Sequence, residues 1–420
     1  MTQTDEATRQ FISSHLCDDV RLLALSSSKW AKEHGIDLTF ALDQIAGWQT
    51  AREKLPSWAA TPGIVFPPHL SMEQCSSEAT ARYKARVASR CADMALSAGV
   101  KAEECALADL TGGFGVDCTL MARCFASSTY VERQPSLCDI ARTNFALMGL
   151  NTRVVTAEAG DALRQMDHMT LIFLDPARRD ANGARTYSIS DCTPDVGAMK
   201  QELLSRSRFV MVKLSPMLDW RKAGEELGWQ WVSEVHIVST GGECKELLFL
   251  LSAQATDGDR RLYCANDDEI FSLSITPGQT QLGYSPADDD LPAATPDMLT
   301  PGTYIYEPNA SIMKSGCFRE VERRFQLRQL EKNSHLFAGC HRVEHFPGRC
   351  FVLRDVFTMN KRELRRLLQQ VDSANITARN FPLSVAQLRQ RLKLADGGDN
   401  YLFATTLCSG AHILMLTGKA

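Results

Sequence analysis

Up to Leu55 the apolar residues recur at helical spacing, as in Ile12, Leu16, Val20 and Leu23, with no alternating strand pattern among them. A small helical domain over residues 1–60 is expected. Three prolines and a glycine between Trp58 and Pro68 break the pattern and mark a linker. The polar stretch LSMEQCSSEATARYKARVASRCA follows. In it Ser76 or Ser77 suits a helix N-cap, and Ala81, Ala85, Val87 and Cys91 line one helix face. From Ala106 the period changes, and short apolar runs at 106–110, 129–131, 153–156, 170–174, 209–213, 232–238 and 246–251 alternate with helical stretches. That alternation predicts an α/β domain of seven strands with a mostly parallel sheet, over residues 61–252. Residues 253–302 are rich in Gly, Pro and Asp, with short alternating runs such as 270–275, and read as a small β-containing or linking segment. Beyond them basic helices alternate with strand-like runs at 350–353, 401–406 and 412–416, which predicts a compact α+β domain over 303–420.

The chain has 420 residues, enough for two or three domains, each with its own core. Its start, MTQTDEATRQ, is polar and acidic rather than basic and then apolar, and the longest apolar run, 247–251, is far too short to cross a bilayer. A cytoplasmic protein with no membrane contact is expected. The fourteen cysteines include no C-x-x-C pair and read as reduced core residues. Cys340, His341, His345 and Cys350 are zinc-type ligands, but their spacing matches no common zinc module, so no metal is expected. The net charge of −4 hides an asymmetry. Residues 257–297 carry nine acids against two arginines, whereas 311–394 carry seventeen Lys and Arg against seven Asp and Glu. Such a basic end points to a polyanionic partner.

The chemistry centres on ALADLTGGFGVD, residues 106–117. A buried strand, a tight glycine turn and a helix start are the arrangement in which backbone N–H groups hold a polar or anionic ligand. Gly113 and Gly115 leave no side chain in the way. A nicotinamide-binding turn would need a third glycine where Cys118 stands. Asp109 at the strand end suits a ligand with a cation, and Glu132, at the end of the next strand, suits the two hydroxyls of a ribose. Together Asp109, the glycines and Glu132 resemble motifs I and II of the class I S-adenosylmethionine-dependent methyltransferases. The resemblance implies a Rossmann-like seven-stranded domain whose last strand is antiparallel. It also implies S-adenosylmethionine as cofactor, bound by Asp109, Thr111, Gly113, Gly115 and Glu132, with Asp161 on the adenine amino group. Asp161 reads equally as an ordinary turn or cap residue. Gln74, Cys75, Ser76, Tyr83 and Lys84 either reach the cofactor or belong to a packing helix.

The fourth strand ends in LDPARRD, residues 174–180. Methyltransferases acting on exocyclic amines carry there an Asp/Asn-Pro-Pro-aromatic motif, which accepts the amine hydrogens. Asp175 and Pro176 match it and are the candidate catalytic residues, while Ala177 and Arg178 depart from it. Arg178 and Arg179 suit base stacking or phosphate pairing, and Lys213 suits a substrate phosphate. DPAR also looks like the DPPR of the 5-methyluridine RNA methyltransferases. Those enzymes need a nucleophilic Cys after the next strand, where this chain has Lys213, Leu214, Ser215 and Pro216; Cys192 lies in a different loop.

The tail offers two amphipathic basic helices. Around 319–332, Val321, Phe325 and Leu330 face a core and leave Arg319, Arg323, Arg324, Arg328 and Lys332 available. Around 360–370, Leu364, Leu367 and Leu368 stand beside Lys361, Arg362, Arg365 and Arg366. From YEPNASIMKSGCFREVERRF through NITARNFPLSVAQLRQRLKLADGG to HILMLTGK, the tail is similar to the THUMP-like C-terminal domain of a family of bacterial class I methyltransferases. RNA binding is what that resemblance implies. The expected function is S-adenosylmethionine-dependent methylation of a base nitrogen of RNA, tRNA or rRNA. The alternatives are a non-catalytic RNA-binding protein with a degenerate methyltransferase domain, and a methyltransferase for a small molecule or protein.

Overall fold

The computed structural model describes residues 6–26, 35–178, 188–255, 257–277 and 294–420. The chain forms two compact units, one of Met1–Val235 with Lys245–Asp257, the other of His236–Cys244 with Gly258–Ala420. Among the described residues no helix is long and apolar enough to cross a membrane.

The first unit begins with α1 (Glu6–His15), α2 (Val20–Leu25) and α3 (Leu38–Lys54). Phe11, Leu23, Ala41 and Ile45 form their core. Asp19 accepts the Arg21 N–H at 2.8 Å and Asp37 the Phe40 N–H at 3.0 Å, so each carboxylate satisfies a donor that the helix start leaves open. After α4 (Pro56–Ala59) and α5 (His69–Gln74), the long α6 (Glu78–Ser97) starts at Ser77, whose hydroxyl accepts the Thr80 N–H at 3.2 Å. With Ser77 as the cap, Ser76 is left for other partners. Ala81, Val87 and Cys91 are buried on α6, joined by Ala88, Ala92 and Ala95.

Seven strands follow: β1 (Ala106–Asp109), β2 (Ser127–Glu132), β3 (Thr152–Thr156), β4 (Met169–Leu174), β5 (Ser207–Leu214), β6 (Val232–Thr240) and β7 (Glu243–Ser252). They lie in the order β3-β2-β1-β4-β5-β7-β6. The first five pair in parallel, and β7 runs antiparallel to β5. Helices α7 (Val116–Met121), α8 (Pro135–Leu147), α9 (Ala159–Arg164), α10 (Val196–Arg206) and α11 (Trp220–Leu227) connect them. Leu171, Ile172, Phe173 and Leu174 are all buried, as expected of a strand covered on both faces. The chain turns one way from β1 and returns on the other side at β4. This reversal opens a crevice at the carboxyl ends of β1 and β4, where open α/β sheets bind ligands.

In the second unit, β8 (Arg260–Asn266) and β9 (Glu269–Ile275) form an antiparallel hairpin within the acidic segment. The rest is a mixed sheet of β10 (Tyr304–Pro308), β11 (Arg328–Gln329), β12 (Phe337–Gly339), β13 (Gly348–Thr358), β14 (Asn375–Arg379), β15 (Asn400–Thr406) and β16 (His412–Lys419), in the order β11-β12-β10-β13-β16-β15-β14. Helices α12 (Ala310–Ser315), α13 (Phe318–Phe325), α14 (Lys361–Leu368) and α15 (Val385–Leu392) accompany it. The helix expected around 319–332 stops early, because Gln326 takes a left-handed conformation (φ +53°). Leu327 and Leu330 are then buried on either side of β11, which carries Arg328 into the sheet.

Candidate active site

The glycine turn after β1 is shaped by contacts that exclude side chains. The Gly112 N–H donates to the Val131 carbonyl at 2.9 Å, and a Cβ there would lie 2.0 Å from the Tyr130 ring. Gly115 precedes α7 with φ +90°, a conformation glycine adopts at no steric cost. The Gly113 N–H donates to one oxygen of Glu132 at 3.0 Å, and the Gln134 N–H to the other at 2.9 Å. Two backbone donors therefore fix the Glu132 carboxylate at the rim of the turn.

A cavity of about 720 Å³ opens beside the turn, lined by residues from the carboxyl ends of β1 to β5. Carboxylates dominate its chemistry. Asp109, Asp117, Glu132, Glu158 and Asp175 face it, against Arg133, Lys213 and Lys245. Asp109 is 1% exposed. Burial pushes its carboxyl well above the ordinary range, the charges of Asp117, Asp175 and Glu132 add to this, and the Thr111 N–H (3.1 Å) opposes it. Holding so many acids together is costly unless a cation joins them, and a cationic ligand would lower that cost.

The back of the cavity is held by α6. Lys84 is fully buried, and its Nζ donates to both oxygens of Glu246 (2.8 and 2.7 Å) and to Ser76 Oγ (3.0 Å). It lies 3.2 Å from Asp117 Oδ1, while Ser76 Oγ donates to Asp117 Oδ2 at 2.7 Å. Among the described residues Asp117 Oδ1 accepts no hydrogen bond and has only that ion-pair contact with Lys84. Gln74, Cys75 and Ser76 line the cavity; Lys84 supports it from behind, and Tyr83 is buried away from the lining under the Arg86 guanidinium.

At the end of β4, Asp175 and Pro176 line the same space. Thr111 ties two strand ends together: its hydroxyl accepts the Asp175 N–H at 2.6 Å while its own N–H serves Asp109. Lys213, expected on a substrate phosphate, lines the cavity and donates to Asp175 Oδ2 at 2.5 Å. Asp161, expected at the adenine amino group, stands elsewhere. It lies in the first turn of α9, more than half exposed and paired with Arg164, outside the cavity lining. Glu158, three residues earlier, is the acid that reaches the cavity, because the helix starts there. Cys192, expected elsewhere, also lines it, brought in by a short antiparallel pairing of Ala177–Arg178 with Cys192–Thr193. The Arg178 side chain and all of Arg179 lie outside the described residues. Sequence reading missed Asp117, Glu158 and Glu246. Of these only Asp117 carried a signal, its place at the start of the helix after the glycine turn.

The basic tail is less free than its composition suggests. Arg319 pairs with Glu322 at 2.9 Å, Arg323 and Arg324 with Glu320, Arg349 and Arg379 with Glu307, Arg366 with Asp355 and Glu363, and Arg389 with Asp396. Lys361, Arg362 and Arg365 on α14 are exposed, and no ion pair engages them among the described residues.

Residues 348–419 match a family described as THUMP domain-like, and 304–347 one described as a ferredoxin-like domain. The whole chain is similar to a protein of Porphyromonas gingivalis W83 described as a candidate methyltransferase. The two are 30% identical, with 99% of this chain and 98% of the other covered and a TM-score of 0.81. A candidate RNA methyltransferase of Pyrococcus horikoshii matches 40% of this chain and 84% of its own, at 14% identity and TM-score 0.29. An rRNA methylase of Streptococcus thermophilus matches 40% and 96%, at 12% identity and TM-score 0.30. No curated protein matches the chain by sequence.

Proposed function

Because the chain belongs to the family of methyltransferases that carry a C-terminal THUMP-like domain, we propose that it methylates a base nitrogen of RNA, tRNA or rRNA, with S-adenosylmethionine as cofactor. One observation carries the reading: carboxylates from three strand ends, Asp109, Glu132 and Asp175, line one cavity with the glycine turn. The residues fit the cofactor. A Cβ at Gly113 would meet nothing nearer than the Thr111 carbonyl at 3.9 Å, so the turn leaves its backbone open to a ligand there. Glu132, with one backbone donor on each oxygen, retains lone pairs for two ribose hydroxyls. When bound, the cofactor supplies an electrophilic methyl group on a sulfonium.

The chain's own residues bind and orient. Asp109, Gly113, Gly115 and Glu132 hold the cofactor, Thr111 keeps Asp109 and Asp175 in register, and Glu158 replaces Asp161 as the partner for the adenine amino group. Asp175 Oδ1 and the Pro176 carbonyl accept the hydrogens of the target amine, which turns its lone pair toward the methyl group. Arg178 and Arg179 contact the base or its phosphate, and the free cations of α14 attract the RNA backbone.

Calorimetric titration with S-adenosylmethionine tests the cofactor site. Asp109→Ala and Glu132→Ala should each weaken binding at least about tenfold, ~1.4 kcal/mol. No binding by a folded sample, with or without RNA, would remove the enzyme and leave a non-catalytic RNA-binding protein. The position of Cys192 favours a second reading, methylation at C5 of uracil after a thiolate adds at C6. Cys192→Ser separates the two. Transfer should survive it if a nitrogen is the target and vanish if C5 is.

A further inference from the structure

The second unit has a cavity of its own, about 710 Å³, built around Glu307 at the end of β10. Glu307 is 5% exposed and its carboxylate holds two arginines. Arg349, its register partner on β13, donates from Nε at 2.9 Å and from a second N–H to the same oxygen. Arg379, at the end of β14, donates to the other oxygen at 3.0 Å. A guanidinium has five N–H donors, so most of those on Arg379 and several on Arg349 remain for a ligand. Both side chains are partly exposed, at 35% and 55%. Lys314 adds a third cation to the wall, and no carboxylate pairs with it among the described residues. Gly241, Gly242 and Gly348 leave parts of the wall without side chains.

Other arginines of the tail are closed on carboxylates one helical turn away, such as Arg323 and Arg324 on Glu320. Here one buried carboxylate serves two guanidiniums and positions both. After Glu307 is neutralised two positive charges remain, offset in part by the exposed Glu269. Forked, pre-positioned guanidiniums beside an ammonium suit the tetrahedral oxygens of phosphate. We propose that this cavity, walled by Lys314, Arg349 and Arg379, is a phosphate site that takes a phosphate group of the RNA substrate. The inference rests on the reading that RNA is the substrate.

The test uses the full chain, unfractionated tRNA and rRNA as probe, and a filter-binding titration across a salt series, with inorganic phosphate as a separate competitor at matched ionic strength. Arg379→Gln and Lys314→Gln should each weaken RNA binding about five- to tenfold and reduce the salt slope by about one phosphate. Inorganic phosphate should compete with RNA on the wild type and lose that effect on the variants. Thermal melting checks that both variants are folded, and Lys314→Gln disturbs no ion pair among the described residues. Folded variants that bind RNA like the wild type would overturn the site while leaving the RNA reading intact. Phosphate binding that the variants abolish without any change in RNA affinity would overturn RNA as the source. A wild type that retains no RNA, while still binding S-adenosylmethionine, would overturn the site together with the RNA reading.

Discussion

Asp175→Ala is expected to lower methyl transfer to RNA at least about a hundredfold, the usual size of a lost proton-accepting or positioning group, while S-adenosylmethionine binds the variant as it binds the wild type. The backbone N–H of Asp175 is held by Thr111, its Oδ2 receives the Lys213 ammonium, and the residue lines the cavity. In the proposed reading, removing its side chain takes away the acceptor for the amine hydrogen but leaves the glycine turn and Glu132 untouched. Lys213→Met should lower transfer as well, because Asp175 then loses the contact that orients it.

The pH dependence separates these roles. Burial works against the charge of Lys213, but the carboxylates of Asp175, Glu246 and Asp117 outweigh it and raise the lysine above its ordinary value. A lysine raised in the folded state contributes stability that is complete below its unfolded value of about 10.4 and is lost only as pH rises through the folded value. The wild type should therefore show no break from Lys213 across the neutral range. Transfer measured with tritiated cofactor on RNA from cells lacking the protein would check both variants. Full transfer by a folded Asp175→Ala protein would place the chemistry away from the end of β4.

Much of this site was legible because its parts are local. The glycine turn, the acids at the ends of β1 and β2, and Asp175-Pro176 each lie in short stretches where strand, turn and helix signals coincide. The seven runs that switch from helical to strand period became seven strands, the central ones, such as β4, because burial on both faces leaves such segments little choice. What could not be read depends on long-range partners. Glu246 lies 162 residues from Lys84, and nothing in either neighbourhood announces the other. Asp161 and Glu158 are both acids near the start of α9, and one turn of helix decides which of them faces the cavity. Counting cations in the tail could not show that Glu307, Glu320 and Glu322 engage five of its arginines.

Lys84→Met is expected to cost about 3–5 kcal/mol of folding stability, because it removes one partner of a buried ion pair and strands the other. Glu246 is 2% exposed, and Asp117 is nearly as buried. Burial already pushes the Glu246 carboxyl above its ordinary value, against the pull of the Lys84 and Lys213 ammoniums. Without Lys84 it rises further. A carboxyl raised in the folded state leaves stability untouched below the unfolded value of about 4.3 and lowers it as pH climbs toward the folded value. The deficit of the variant should therefore be small in acid and large at neutral pH, where thermal melting of the full chain should fall by roughly 10 °C. Lys84→Met combined with Glu246→Leu should recover much of the loss, since no charge of that pair then remains buried. A single variant that melts with the wild type at neutral pH would mean the pair contributes nothing to the fold. If the loss appears and the double variant recovers it, the S-adenosylmethionine affinity of the double variant becomes informative. Lys84 also steadies Ser76 and Asp117 at the back of the cavity, so cofactor binding should stay weak even where stability has returned.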